Sequence, residues 1–525
     1  MDDSELQRTA LDRLEEARQK KALWALDFKE CYFFAAPHRQ REVFSKTMPP
    51  TARRLDAPEL QTSLAFDITG EFVTEIVQTF LPEWQQWAQQ GPGMFIKPDM
   101  WQQVEDIAKK NDVVIFDAIK SSNFYAELPK SYDPDLAIGT AALWIDQPRP
   151  DQPIVSSAVP LRELECNLGP HGEIDDRFAV RWTRNAHVSA ILPGVKLPPE
   201  VADVIAKDPS GFTCVQRGFW RLWDKTDEEW QYVALVGDKL VDGNVIKGEG
   251  CCPLIVTRFN PSADWNWGIG FLMKGLPDLR QIDELSAMKI EGIARNTSPP
   301  MGYPDDSFAN IAQGLEEGMG YPVRPGTTQQ SILRLAPEIN IESANYETDK
   351  LEHALRRLGY VDFPEQSGDT PPTAAQWMDQ LARAQRRIGT PGMSFWREGP
   401  MNYYLRFKYL LERNGAIQPL QVNGKMISAR PLNPSQRAAE QQEIAMAAQA
   451  IQLLGQAWPE EFKAWIDGKT SMKNILDKMR VTLLTFRKPE EVQAAIQQIQ
   501  PLLQQHFAPG APQQPGQEQP QGSLQ

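Results

Sequence analysis

"PLIVTRFNPSADWNWGIGFLMKGLPDLRQIDEL" runs from Pro253 to Leu285. Its apolar opening, Leu254 to Phe259, has the length and β-branched content of a buried strand. From Asp278 to Arg295 the pattern changes to one apolar face, Leu279, Ile282, Leu285 and Met288, which predicts a helix roughly 27 Å long. Between the two, Gly270 and Gly275 have the glycine spacing of a phosphate-binding loop. Such a loop needs lysine and then a hydroxyl residue after the second glycine, to reach the phosphates and hold Mg²⁺. Here Leu276-Pro277 occupies those places, and Lys274 precedes the glycine. A second fragment, Gly468-Lys469-Thr470, lacks the first glycine and follows a helical stretch. Neither is a nucleotide site.

Upstream, Leu6, Ala10, Leu14 and Ala17 recur at helical spacing, and two further helices are expected over about Phe66–Trp87 and from Pro98. From about Ile138 to Asn260, short apolar runs alternate with turn-rich pieces such as "DQPRPDQP" and "GPHGEIDD". This predicts an antiparallel β-rich body with a polar helix inserted near Pro198–Lys207. Downstream, Met301–Asn340 is rich in Gly and Pro. A helix follows over about Asn345–Tyr360, then the loop "VDFPEQSGDTPPT", then a helical region from Ala374 to Arg413. "GTPG" at Gly389–Gly392 and then Pro400 interrupt that region, so a kinked helix is expected. Asn433–Phe507 reads as helical segments, and the Pro/Gln-rich end as disordered.

The chemistry-bearing residues form no constellation. Five histidines are scattered without metal-ligand spacing, and five cysteines include no C-x-x-C pair, which fits reduced thiols. Cys251-Cys252 reads as a buried strand end. The acid pairs Asp175-Asp176 and Asp305-Asp306 read as solvated turns rather than metal sites. No catalytic residue, metal site or cofactor is expected. No run approaches the ~18 apolar residues of a membrane span, and the N-terminus lacks a secretory layout. The net charge of −14 argues against tight phosphate binding. Near-paired tryptophans, Trp84/Trp87, Trp220/Trp223 and Trp265/Trp267, therefore read as core or subunit-interface packing rather than base-stacking platforms.

Taken together, the chain from about Leu14 to Val492 resembles the portal, or head-to-tail connector, proteins of short-tailed, podovirus-type double-stranded DNA phages. The resemblance rests on ordered stretches: "SLAFDITGEFVTEIVQTFLPEWQQW", "SNFY", "DPDLAIGTAALWI", the opening stretch, "NTSPPM", "DTPPTAAQWMDQLARAQRRIG", "LLERNGAI" and "ISARPLNPSQRAAEQQEI". Gln376 stands where the family usually has an acid.

The resemblance implies an α+β portal fold and a twelve-subunit ring around an axial channel. Mapped here, residues 1–275 and the kinked helix with its following segment, 374–429, form the wing. Helices 276–297 and 345–361 form the stem, 298–344 the clip, 362–373 the channel (tunnel) loop, and 430–507 a helical crown, with 508–525 a disordered tail. The implied role is structural: a conduit at one capsid vertex for packaging and ejecting double-stranded DNA without sequence specificity. Implied partners are further copies of the chain, a terminase motor, then a tail adaptor, and the major capsid, scaffold and internal core proteins. No membrane is implied; the expected location is the virion, after assembly in the host cytoplasm. Twelve copies at −14 each carry about −168, a largely repulsive wall that lets DNA pass. Lys289, Arg295, Arg356 and Arg357 are candidates to line the channel, or to form subunit-to-subunit ion pairs. Asp362, Phe363, Pro364, Glu365, Asp369, Pro371 and Pro372 make up the expected channel loop, stiffened by proline. Gly268, Gly270 and Gly275 are expected to let the chain turn out of the wing sheet, with Pro277 and Asp278 starting the stem helix. Two other classes compete with this reading: a packaging ATPase or nuclease, and a tail-tube or adaptor protein.

Overall fold

The computed structural model describes residues 2–39, 60–92, 98–149, 152–225, 227–297, 301–302, 333–334, 341–361, 392–422, 425–426, 428–431, 444 and 446–452. The expected channel loop, the first part of the kinked helix, the Asp305-Asp306 pair and nearly all of the expected clip, crown and tail lie outside the described residues. The chain divides into two units, Met1–Ser435 and Gln436–Gln525. In the second unit, residues 446–452 are helical.

The first unit is α+β. Helix α1 (Asp3–Ala22) buries Leu6, Ala10, Leu14 and Ala17, its one apolar stripe, and carries acids in its first turn and lysines in its last, as the helix dipole favours. Then come α2 (Ala25–Ala35), α3 (Leu64–Phe80), strand β1 (Ala88–Gly91), α4 (Pro98–Ser121), α5 (Phe124–Tyr132) and α6 (Asp135–Ile138). The β-rich body follows as expected: β2 (Thr140–Asp146), β3 (Val155–Val159), β4 (Leu164–Leu168), β5 (Ile174–Arg184), helices α7 (Val188–Ile191) and α8 (Pro199–Lys207), then β6 (Phe212–Arg221), β7 (Glu229–Val236), β8 (Lys239–Lys247) and β9 (Leu254–Arg258).

These strands make two antiparallel sheets. One is the meander β4-β5-β6-β7-β8, and the other has the order β3-β2-β9. The meander is half-covered. On it, α1 packs Leu6, Ala10 and Leu14 against Phe178, Trp220, Val233 and Leu235. Around α7 and α8, Val188, Leu192 and Val201 pack against Val215, Ala234 and Val236. The smaller sheet lies deeper: β9 is buried at every position and β2 at all but its last. That explains why both read as continuous apolar runs rather than alternating ones.

Downstream of β9 come α9 (Phe271–Lys274), α10 (Leu276–Thr297), β10 (Met301–Gly302), β11 (Leu333–Arg334), α11 (Ile341–Leu358), α12 (Pro400–Arg413) and the short strands β12 (Gln421–Val422), β13 (Lys425–Met426) and β14 (Ser428–Pro431). β14 pairs antiparallel with β1. Residues 392–398 are also helical and run into α12 through Gly399. Helix α12 is buried nearly all round, including Tyr403, Tyr404, Arg406 and Lys408. Its polar atoms are matched. The Arg406 guanidinium donates to the carbonyls of Ile145 and Cys251 at 2.9 and 2.6 Å and to Asp146 at 2.9 Å. The Tyr404 hydroxyl donates to Asp112 on α4.

One expectation needs correction. Asp176 is not in a solvated turn: it is buried, ion-paired with Arg13 at 2.7 Å and bonded to Asn167 at 3.0 Å, while Asp175 accepts the Trp223 indole N–H at 3.1 Å. The tryptophans also divide. Trp87, Trp220 and Trp267 are core residues, but Trp84 is 67% exposed and Trp223 and Trp265 are also exposed. Cys251 and Cys252 are buried just ahead of β9, and burial pushes both thiols up, away from the reactive thiolate.

Candidate functional site: the root of the helical hairpin

The opening stretch leaves β9 at Arg258, which is 2% exposed. Its guanidinium forks onto Glu398, and its Nη2 donates to the Gly172 carbonyl at 2.8 Å. The chain then loops out and returns to the smaller sheet. Three bonds close the neck. Phe259 N–H donates to the Gly139 carbonyl at 2.8 Å, Gly268 N–H to the Thr140 hydroxyl at 2.9 Å, and Gly270 N–H to the Ile138 carbonyl at 2.7 Å. Asn260 enters the loop with φ 53°, a left-handed conformation that asparagine tolerates better than most residues.

The glycines here serve a different purpose from the one their sequence suggests. None of Gly268, Gly270 and Gly275 has left-handed backbone; Gly270 has φ −76° and ψ 178°, and Gly275 φ −90° and ψ 3°. They are needed because two backbones touch. A Cβ on Gly270 would overlap the Ala137 carbonyl, and one on Gly268 would overlap the Gly139 carbonyl. Gly139, with φ +146°, faces Gly268 in the same way. On Gly275 a Cβ would come within 2.6 Å of the Leu355 side chain on α11. The joint is a clamp of packed main chain.

Aromatic rings surround it. Trp265 meets Trp24 edge-on at 4.4 Å, Trp267 meets Phe28 at 5.6 Å, and Phe271 lies 5.2 Å from Phe72. Lys21, wholly buried, donates to the carbonyls of Leu161 and Leu164 at 2.7 and 2.6 Å, and its ammonium lies 5.5 Å from the Trp267 ring centroid. Burial pulls its pKa down, opposed by Glu165.

From this root, α10 and α11 form an antiparallel hairpin. Gly275, just before α10, lies against Leu355 and Leu358 near the end of α11. At the other end, β10 pairs antiparallel with β11. Leu276, Leu279, Ile282 and Leu355 are buried at the root. Ion pairs brace it. Arg280 forks onto Glu30 of α2, Arg356 lies 2.7 Å from Glu71 of α3, and Asp283 accepts the Gln61 N–H at 2.8 Å. Farther along α10, Met288, Ile290 and Ile293 are 51–56% exposed.

The residues singled out from sequence fall into two places. Gly268, Gly270, Gly275, Pro277 and Asp278 belong to the root, where Gly275 packs against Leu355, the neighbour in sequence of Arg356 and Arg357. Arg356 is already engaged there by Glu71 and Glu352, and Arg357 is exposed on α11. Lys289, half-exposed, lies 13 residues beyond Leu276, roughly 20 Å along the helix axis. Arg295 lies farther still on α10. The four cations are not one cluster. The sequence reading missed Gly139, Glu30, Glu71 and Glu398. Only Gly139 carried a local signal, a lone glycine ahead of an apolar strand.

Among the described residues, no group of three or more His, Cys, Asp or Glu side chains could hold a metal ion. No described helix is long and apolar enough to cross a membrane. Residues 7–482 match the family described as "Bacteriophage head to tail connecting protein", and the chain belongs to that family. It is thus a connector of a phage particle. No curated protein matches the sequence. Among solved structures, a chain of the "Virion of native gene transfer agent (GTA) particle" is similar at 11% identity, over 77% of this chain and 92% of that one, with a TM-score of 0.31.

Proposed function

We propose that the chain is a portal subunit: twelve copies ring an axial channel at one capsid vertex and pass double-stranded DNA in during packaging and out during ejection. The observation that carries this reading is the family match over nearly the whole chain. The hairpin supports it. Its root is braced to the body, while Met288, Ile290 and Ile293 leave apolar surface beyond the body that a neighbouring copy in a ring can bury. In this proposal α10 and α11 are the stem, the segment between them is the clip on which a terminase and then a tail adaptor dock, and the wing and crown face the head interior. Lys289, away from the root, is a better candidate for facing DNA than Arg356, which Glu71 and Glu352 already engage. The loop containing Asp362, Pro364, Glu365, Asp369, Pro371 and Pro372 narrows the channel. Energy comes from the terminase, since the opening stretch cannot grip a nucleotide.

Negative-stain images of the purified protein test this directly. Rings with twelvefold symmetry and a narrow stem are expected. A homogeneous monomer, or an open tube, refutes it. The same preparation should show no ATP hydrolysis and no Mg²⁺-dependent DNA cleavage.

A further inference from the structure

A cleft of about 480 Å³ opens between the meander, the β4–β5 turn, the chain following β9 and the residues around Gly399. Its carboxylates are all engaged. Glu398 holds Arg258, Glu173 lies 2.6 Å from Arg397, and Glu249 lies 3.3 Å from Lys408. Glu228 accepts the Trp230 indole N–H at 2.8 Å and the Gly250 N–H at 3.2 Å.

Two of its four arginines are not matched in the same way. Among the described residues, Arg177 donates only to the carbonyls of Ile174 and Leu254, and its guanidinium lies 4.5 Å from the Trp230 ring centroid. Arg221 makes no hydrogen bond or ion pair among the described residues; its guanidinium lies 4.5 Å from the Trp223 ring centroid. Arg258 keeps Nη1 without a partner among the described residues although it is buried. Strand register puts the first two side by side. Arg177 is opposite Phe219, two residues before Arg221, and Arg221 is opposite Trp230. They therefore share one face of the sheet as diagonal neighbours, about 7–8 Å apart. The Arg221 guanidinium bonds none of the described residues and can offer a carboxylate its full fork, while each Nη of Arg177 keeps one N–H beyond those given to the carbonyls.

We infer that this cleft docks an acidic peptide segment of a partner protein, whose carboxylate bridges Arg177 and Arg221. Charge complementarity selects that occupant: two guanidiniums that form no ion pair among the described residues stand in a chain whose net charge is −14. The four engaged carboxylates around them disfavour a polyanion such as DNA while leaving room for one or two carboxylates. Val256, Met401 and Leu405 give the peptide an apolar wall.

Isothermal titration of the full-length protein tests this with blocked tetraglutamate, blocked tetraglutamine and inorganic phosphate. Tetraglutamate should bind at least tenfold tighter than either of the others. Arg221→Gln should weaken it at least fivefold, and Arg221→Lys, which keeps the charge but loses the fork, by less. Arg149→Gln, an exposed arginine elsewhere, should change it less than twofold. Because the Arg221 side chain bonds no described residue, its variants should keep the parent melting temperature. Equal binding of the two peptides, phosphate binding as tight as tetraglutamate, an unaffected Arg221→Gln, or an equal loss in Arg149→Gln would each overturn the inference.

Discussion

Replacing Gly270 by alanine separates a clamp from a swivel. The backbone there, φ −76° and ψ 178°, is open to any residue. If the glycine served only chain freedom, alanine would stabilise the protein by about 0.4–1 kcal/mol, by restricting the unfolded chain. The geometry gives the opposite sign. The new Cβ overlaps the Ala137 carbonyl, with main chain on both sides and no flexible side chain to yield. Residues 137–139 and 268–270 must separate, which weakens the 2.7 Å bond from Gly270 to Ile138 and the 2.9 Å bond from Gly268 to Thr140. Overpacking costs about 1–3 kcal/mol. Impairing a buried hydrogen bond costs about 1–3 kcal/mol more. A net loss of about 4 kcal/mol corresponds to a fall in Tm on the order of 5 °C in a body of this size. Gly70→Ala is the control: it sits exposed inside α3 with no atom within 4 Å of the added Cβ, so alanine should stabilise by about 0.5–1 kcal/mol. Thermal melts of the three proteins decide the matter. A Gly270→Ala variant that melts at or above the parent temperature refutes the clamp.

Other outcomes follow from the same packing. Burial pushes the Asp112 carboxyl up to about 6, although Tyr404 and Gln90 N–H donate to it. Its contribution to stability is therefore full below the ordinary 3.8 and lost as pH rises through about 6; relative to the parent, Asp112→Asn should gain about 3 kcal/mol between about pH 4 and 7 in urea titrations. Arg406→Leu leaves Asp146 and two buried carbonyls without their donor, and should lose about 3–5 kcal/mol in the same assay. At the root, Leu355→Ala should lose about 2–5 kcal/mol, whereas Arg356→Ala, which breaks only partly exposed ion pairs to Glu71 and Glu352, should lose less than about 1 kcal/mol.

Local pattern carries much of this fold. The buried face of α1, the strand runs of β2 and β9, and the proline at the start of α12 can all be read from spacing, because each depends on residues within a few turns of one another; on α10 the spacing holds only for Leu279 and Ile282, since Leu285 is half-buried and Met288 is 54% exposed. Pairings across the chain cannot. Nothing near Gly268 or Gly270 announces that the stretch from Ala137 to Gly139 lies against them, so these glycines read as freedom when they provide closeness. Nothing near Arg406 or Lys408 announces their burial, because their partners Asp146 and Glu249 are distant in sequence. Asp176 reads as solvated for the same reason, since its partner Arg13 comes from the first helix.

The short ladder between β10 and β11 has an evolutionary consequence. It joins residues 301–302 to 333–334, so the chain between them leaves and re-enters the hairpin at one point. With its ends held together, that interval can be lengthened at only about 0.6 kcal/mol per doubling of its length. A lineage can therefore lengthen this interval while the glycine clamp and its ion pairs stay unchanged.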